Sequence, residues 1–187
     1  SSDLMFPYSK VYGNVLTPEM CRNLIYMFET YSDEHITRDI DNYVKFTEIN
    51  LNRSERWESI TKQLLEICGE YLFQYRKEFK IHDKQFPKKY GLEEMRLKRY
   101  YPNNYDEFDF HVDVDDAESS KRMVSYLFYL NDVEEGGETT FGINEEWRIK
   151  PKQGNLLMFP PLWTHPHRGR KPISGPKYIL TTYINYV

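Results

Sequence analysis

Residues 95–113 read MRLKRYYPNNYDEFDFHVD, and this stretch decides how the second half of the chain is built. Its opening, MRLKRYY, is β-like, and Pro102-Asn103-Asn104 then marks a turn. The stretch closes on His111 and Asp113, two residues apart at what reads as a strand end. Alternation along a strand places both side chains on the same face. An imidazole and a carboxylate so placed can bind one divalent ion. A surface ion pair uses the same two residue types, and the pair alone does not separate these readings.

Toward the C terminus the pattern repeats. MVSYLFYL, ETTFG, WRIKP, NLLMFP and KYILTTYINYV are rich in β-branched and aromatic residues. Turn signals at Gly136-Gly137, Gly142, Gln153-Gly154, Gly169 and Gly175 separate them. Toward the N terminus the period becomes helical. LTPEMCRNLIYMFETYS offers Thr17 as N-cap and Pro18 as first helical residue, with Met20, Leu24, Ile25 and Phe28 at helical spacing. A longer helix is predicted from about Ser54 to Phe79, with Trp57, Ile60, Leu64, Ile67, Tyr71 and Tyr75 on one face. The polar stretches from Thr30 to Asn52 and from Lys80 to Glu94 read as loops of the kind that form lids or substrate grooves. Helices followed by short strands predict an α+β fold over one domain, residues 1–187. Residues 1–92 would be mainly helical support, and residues 93–187 a jelly-roll core with the helices packed on one sheet.

Composition narrows the function. The chain has 187 residues, 40% hydrophobic and 29% charged, which suits a folded domain with a sizeable core. A formal net charge of −4 with both signs interspersed does not call for nucleic acid as a partner. No apolar run approaches the ~20 residues of a membrane span. Cys21 and Cys68 lack metal-binding spacing, and so few cysteines favour a reducing compartment; the expected location is cytoplasmic.

A metal site needs more ligands than His111 and Asp113. His35 and His82 lie in charged, solvated stretches, whereas FPPLWTHPHRG supplies His165 and His167. Strand alternation does not choose between these two, since they share a face. Two histidines and one carboxylate leave adjacent positions open on an octahedral ion, the donor set of non-haem Fe(II) oxygenases; zinc is the chemical rival. Lys177, ten residues after His167, adds a cation for an anionic co-substrate, and Thr181 shares its strand face. An exposed strand lysine is the plain alternative. Asp115, Asp116 and Glu118 read as a solvated loop. Trp163 and Arg168 flank the ligand strand, by default one packed and one exposed.

Across residues 97–183 the chain resembles the iron(II)- and 2-oxoglutarate-dependent dioxygenases of the prolyl 4-hydroxylase-like group. The segments RYYPNNYDEFDFHVD, SYLFYLNDVEEGGETTF, IKPKQGNLLMFPP and HRGRKPISGPKYILTTY carry the resemblance in the family's order. It implies a double-stranded β-helix core with His111, Asp113 and His167 as metal ligands; the H-x-G motif and its offset to the basic residue select His167. It implies Lys177 as partner of the far carboxylate of 2-oxoglutarate, with Tyr101, Tyr129 and Thr181 as further co-substrate contacts. The implied cofactors are Fe(II), 2-oxoglutarate and O2, with ascorbate as a reductant. The implied reaction is hydroxylation of an unactivated C–H, foremost a prolyl residue of a peptide or protein, with 2-oxoglutarate converted to succinate and CO2. A free amino acid, another side chain, or a non-catalytic metal-binding module are the alternatives.

Overall fold

The computed structural model describes residues 6–41 and 43–187. In chain order the elements are β1 (Lys10–Tyr12), α1 (Pro18–Thr30), β2 (Ile36–Ile40), β3 (Val44–Asn50), α2 (Glu58–Glu78), β4 (Tyr90–Leu92), β5 (Arg96–Tyr100), β6 (Glu107–His111), β7 (Arg122–Tyr129), β8 (Thr139–Phe141), β9 (Trp147–Ile149), β10 (Leu156–Phe159), β11 (His167–Gly169) and β12 (Lys177–Tyr186). The strands pair antiparallel in the order β1-β10-β7-β12-β5-β3-β6-β11-β8-β9, with β2 added to β3 and β4 to β12. β10 and β8 lie near opposite ends of that order, yet Phe141 and Phe159 meet with ring centroids 4.9 Å apart. The sheet therefore curls into a half-barrel, as in a jelly roll.

Each long strand divides its side chains between two apolar clusters. Along β7, Tyr126 and Phe128 join Leu97 and Leu180 in a convex-face cluster that also holds Leu24, Phe28, Leu64 and Leu72 from the two helices. Leu127 and Tyr129 point the other way, into a concave cluster with Phe46, Tyr100, Phe141, Phe159 and Ile179. Polar ties fasten the convex face. Tyr126 donates to the Cys68 carbonyl at 2.9 Å, and Arg99 grips the Glu29 carboxylate with two 2.8 Å contacts.

α1 begins where the sequence places it. Thr17 caps the helix by accepting from the Met20 amide at 3.1 Å, and Pro18 occupies the first turn. A short 3-10 turn over Glu55–Trp57 leads into α2. On α2 the buried stripe runs Ile60, Leu64, Cys68, Leu72 and Tyr75. Ile67 and Tyr71 sit at its edge, because an i+4 stripe drifts slowly around the helix.

Of the two stretches read as loops, one is largely sheet and the other contributes a short strand. Residues Thr30 to Asn52 contain β2 and β3, and β3 pairs with both β5 and β6; β4, within Lys80 to Glu94, pairs with β12. β1 adds a further early strand on β10. The described residues up to 92 thus supply four strands besides the two helices, and the division at residue 92 cuts through one sheet. The strand VKFTEIN escaped notice because its concave-facing positions include Glu48, a buried carboxylate that breaks the apolar alternation. Among the described residues, no helix is long and apolar enough to cross a membrane.

Candidate active site

β6 ends at His111 and β11 begins at His167, and the two residues are direct cross-strand partners. Asp113 follows β6 by two residues and turns back toward them. Its Oδ1 lies 3.2 Å from His111 Nε2 and 3.5 Å from His167 Nε2. One ligand atom from each of the three falls within 4.8 Å of the others, the one such cluster among the described residues.

Backbone contacts set both imidazoles. His111 Nδ1 lies 2.6 Å from the Asp109 carbonyl, and His167 Nδ1 lies 3.0 Å from the His165 carbonyl. A carbonyl only accepts, so each Nδ1 carries a proton and each Nε2 is the nitrogen turned to the centre. Phe108 stacks on His111 with centroids 3.7 Å apart, and Phe141 and Phe159 flank His167. Burial pushes the His167 pKa down to about 4, which keeps its lone pair free at neutral pH. Burial opposes the charge of Asp113, but His167, His111 and Lys98 outweigh it and hold the carboxyl well below its usual range. Arg122 donates to the Asp113 carbonyl at 2.8 Å while gripping Glu93, and Tyr43 donates to the Phe110 carbonyl at 2.9 Å. Two imidazole nitrogens and one carboxylate, all pre-aimed, fit a divalent ion with open positions, ferrous iron foremost, although the same donors suit zinc.

The triad opens onto a cavity of about 380 Å³. Lys177, only 2% exposed, lines it from the first residue of β12. Its Nζ donates to the Gly137 carbonyl at 2.9 Å and lies 5.1 Å from the Tyr100 ring centre. Burial pushes its pKa down to about 8, so it is still mainly a cation at neutral pH. Gly137 adopts φ +75°, and a Cβ there would crowd the Lys177 Cδ at 3.3 Å; a side chain at this turn would disturb the lysine.

The structure separates the other expected co-substrate contacts. Tyr101 lies outside the cavity, 42% exposed, with the Arg99 guanidinium 4.1 Å from its ring centre. Its neighbour Tyr100 takes the inward place opposite Lys177, because adjacent strand residues face opposite sides. Burial raises the Tyr100 pKa, so its hydroxyl stays protonated as a donor. Tyr129 is fully buried one layer behind the wall and donates to Thr139 Oγ1 at 2.7 Å; Thr139 is the residue that faces the cavity. Thr181 lines the cavity, but four strand residues place it about 13 Å from Lys177 along β12. Its register partner is Arg96, two pleat repeats from the Tyr100–Lys177 pair. His165 turns away from the ligands. Its Nε2 donates to the Pro7 carbonyl at 2.5 Å, and its Nδ1 accepts from Thr164 at 2.7 Å.

Sequence reasoning missed Tyr100, Thr139 and a charged rim. The alternation in RLKRY could have found part of it, since Arg96, Lys98 and Tyr100 share the cavity face. Other residues also differ from expectation. His35 is half-buried and stacks on Phe28, with centroids 4.4 Å apart. Trp163 is 80% exposed and not packed. Arg168 lies 3.9 Å from Asp109 and over the Phe110 ring. Asp115 and Asp116, by contrast, lie in an exposed loop as expected, hydrogen-bonded to Ser119.

Comparison with known proteins agrees with this geometry. Residues 95–185 match the family model of the 2OG-Fe(II) oxygenase superfamily. The chain is 31% identical over 124 residues to probable prolyl 4-hydroxylase 9 of Arabidopsis thaliana, covering 52% of this chain and 42% of that protein. It is 32% identical over 126 residues to prolyl 4-hydroxylase 13 of the same plant, covering 54% and 45%. The match thus spans less than half the length of these plant relatives. A viral collagen prolyl hydroxylase from Paramecium Bursaria Chlorella virus-1, solved with 2OG, superposes with a TM-score of 0.67 at 25% identity over 96% of both chains. A prolyl hydroxylase from Trichoplax adhaerens, solved with a hypoxia inducible factor peptide, gives 0.69 at 18% identity, covering 95% of this chain and 83% of that one, and shares the fold. The half-barrel, the pre-aimed His-Asp-His cluster and these matches together liken the chain to the prolyl 4-hydroxylase-like proteins of the 2OG-Fe(II) oxygenase superfamily, with the family match carried by residues 95–185.

Proposed function

We propose that the chain is an Fe(II)- and 2-oxoglutarate-dependent dioxygenase that hydroxylates prolyl residues in a peptide or protein, with conversion of 2-oxoglutarate to succinate and CO2. The observation that carries this reading is one cavity with the His111-Asp113-His167 cluster and the buried cation Lys177 both in its wall. The prolyl substrate rests on the relatives, which are named as prolyl hydroxylases.

His111, Asp113 and His167 would hold the ion through Nε2, a carboxylate oxygen and Nε2. When bound, ferrous iron supplies the redox chemistry that couples O2 to 2-oxoglutarate decarboxylation and C–H hydroxylation. The chain supplies position and exclusion. Lys177 would neutralise the far carboxylate of 2-oxoglutarate, with the Tyr100 hydroxyl as a neighbouring donor. Leu127, Phe159 and Ile179 line the cavity with apolar surface and limit water. Arg122 keeps the Asp113 loop in place. We further take residues 1–187 as one α+β unit whose jelly-roll part carries the site and whose helices support it.

The test is succinate release with iron, 2-oxoglutarate and a panel of proline-rich peptides. Peptide-dependent succinate with a mass gain of one oxygen on proline is expected. Succinate release without any oxidised peptide would retain the oxygenase chemistry and reject the prolyl substrate.

A further inference from the structure

The reaction as proposed uses one lysine of the cavity, and the cavity contains a second. Lys98 projects from β5 between Arg96 and Tyr100. Its backbone pairs with Glu48 on one side and Ile179 on the other, one pleat repeat from the Tyr100–Lys177 pair. The ammonium reaches across the cavity floor, 5.0 Å from the Phe46 ring centre and 6.0 Å from that of Phe108. Phe108 is the ring stacked on His111, so Lys98 points toward the metal-binding end.

The carboxylates nearby are engaged elsewhere. Glu48 is shared by Arg38 at 2.7 Å and Arg96 at 3.4 Å. Glu94 meets Arg53 and Arg96, and Glu93 is held by Arg122. Among the described residues, no carboxylate lies within ion-pair distance of Lys98 Nζ. Burial lowers the Lys98 pKa, and the more distant Glu48 and Asp113 only partly restore it. Lys98 is half-buried in the cavity wall, and a partly desolvated ammonium without a carboxylate partner favours an anion beside it. Arg38 and Arg96 thus take up the buried Glu48 carboxylate, and Lys98 beside them keeps its charge for another partner.

On the oxygenase reading, 2-oxoglutarate brings two carboxylates, one for the metal and one for Lys177, and neither is left over for Lys98. We infer that Lys98, supported by Arg96 and Arg38, forms a second carboxylate subsite that binds the substrate to be hydroxylated. The substrate then carries an acid close to its reacting carbon, either an acidic side chain flanking the target residue or a free α-carboxylate. This inference rests on the proposed function.

The test measures binding to Mn(II)-loaded protein saturated with 2-oxoglutarate and kept free of oxygen, by calorimetry. Two matched probe pairs separate the sources of the acid: acetyl-Pro-Asp-amide against acetyl-Pro-Asn-amide, and L-proline against L-prolinamide. Wild type should bind the acid of at least one pair about tenfold tighter than its amide, the size of a charge-assisted contact. Lys98→Met should lose that preference, and Lys98→Arg should keep most of it. Equal binding within both pairs by wild type, or an undiminished preference in Lys98→Met, overturns the inference. A loss of 2-oxoglutarate affinity in Lys98→Met comparable with that in Lys177→Ala would instead assign Lys98 to the co-substrate, and overturns it too. Succinate release by wild type is scored separately. Its absence with the acid preference intact would remove the oxygenase reading alone.

Discussion

The two faces of the curled sheet are made from the same strands and behave as opposites. On the convex face, Tyr126 and Phe128 of β7 and Leu180 of β12 are sealed by α1 and α2 into a continuous apolar core. On the concave face, Leu127 of β7 and Ile179 and Thr181 of β12 line an open cavity beside ligands and unpaired charge. One parity of each strand stores stability, and the other parity presents chemistry. The difference teaches that a change of one position along a strand converts a folding residue into a site residue.

Substitutions of the metal ligands should give the largest effect. His111→Ala, Asp113→Ala or His167→Ala should bring peptide-coupled succinate release to background while the circular dichroism spectrum stays native; near-normal turnover in any of the three would break the ligand assignment. Phe128→Ala, on the opposite face, should do the reverse. It should lower the unfolding free energy by about 3–5 kcal/mol in urea titrations and leave turnover per folded molecule unchanged. A large loss of turnover at full folding would show that the two faces are not separable.

Lys177→Ala comes next. It should raise the 2-oxoglutarate concentration needed for half-maximal turnover by about 10- to 100-fold, since it removes a charge-assisted contact and no metal ligand. The same residue predicts a pH dependence. Its pKa in the free protein is pushed down to about 8 by burial, and a bound carboxylate favours the charged form. Affinity for 2-oxoglutarate should therefore be level below about pH 8 and fall by about tenfold per unit above it, as the lysine must regain its proton on binding. A profile flat through pH 9 in the wild type would argue for a different partner. The smallest effect sharpens the parity argument directly. Tyr100→Phe should raise the 2-oxoglutarate requirement by about fivefold, the loss of one ordinary hydrogen bond, whereas Tyr101→Phe should leave it unchanged. The opposite ranking would restore Tyr101 as the cavity residue.

Local patterns made much of this molecule legible. Thr17-Pro18 announced α1 through capping chemistry that needs only neighbours in sequence. The aromatic and β-branched runs located β5, β7, β8, β9, β10 and β12. β3 stayed hidden because its cavity-facing side carries charge, so the usual contrast between an apolar inside and a polar outside fails there. β11, the short strand that bears His167, forms through its pairing with β6 and β8 and has little propensity of its own.

By itself, then, the amino-acid sequence determined the residue types and spacings that name the chemistry: His111 with Asp113, His167 opening H-x-G, and Lys177 ten residues later. Tertiary structure decided which residues meet. It set Tyr100 and not Tyr101 opposite Lys177, and Thr139 and not Tyr129 on the cavity wall; it carried Thr181 away to Arg96 and pointed Lys98 toward the metal-binding end. The physical reason is that a motif records distance along the chain, whereas strand register and sheet curvature set distance in space. A one-residue step in register moves a side chain to the other face of the sheet.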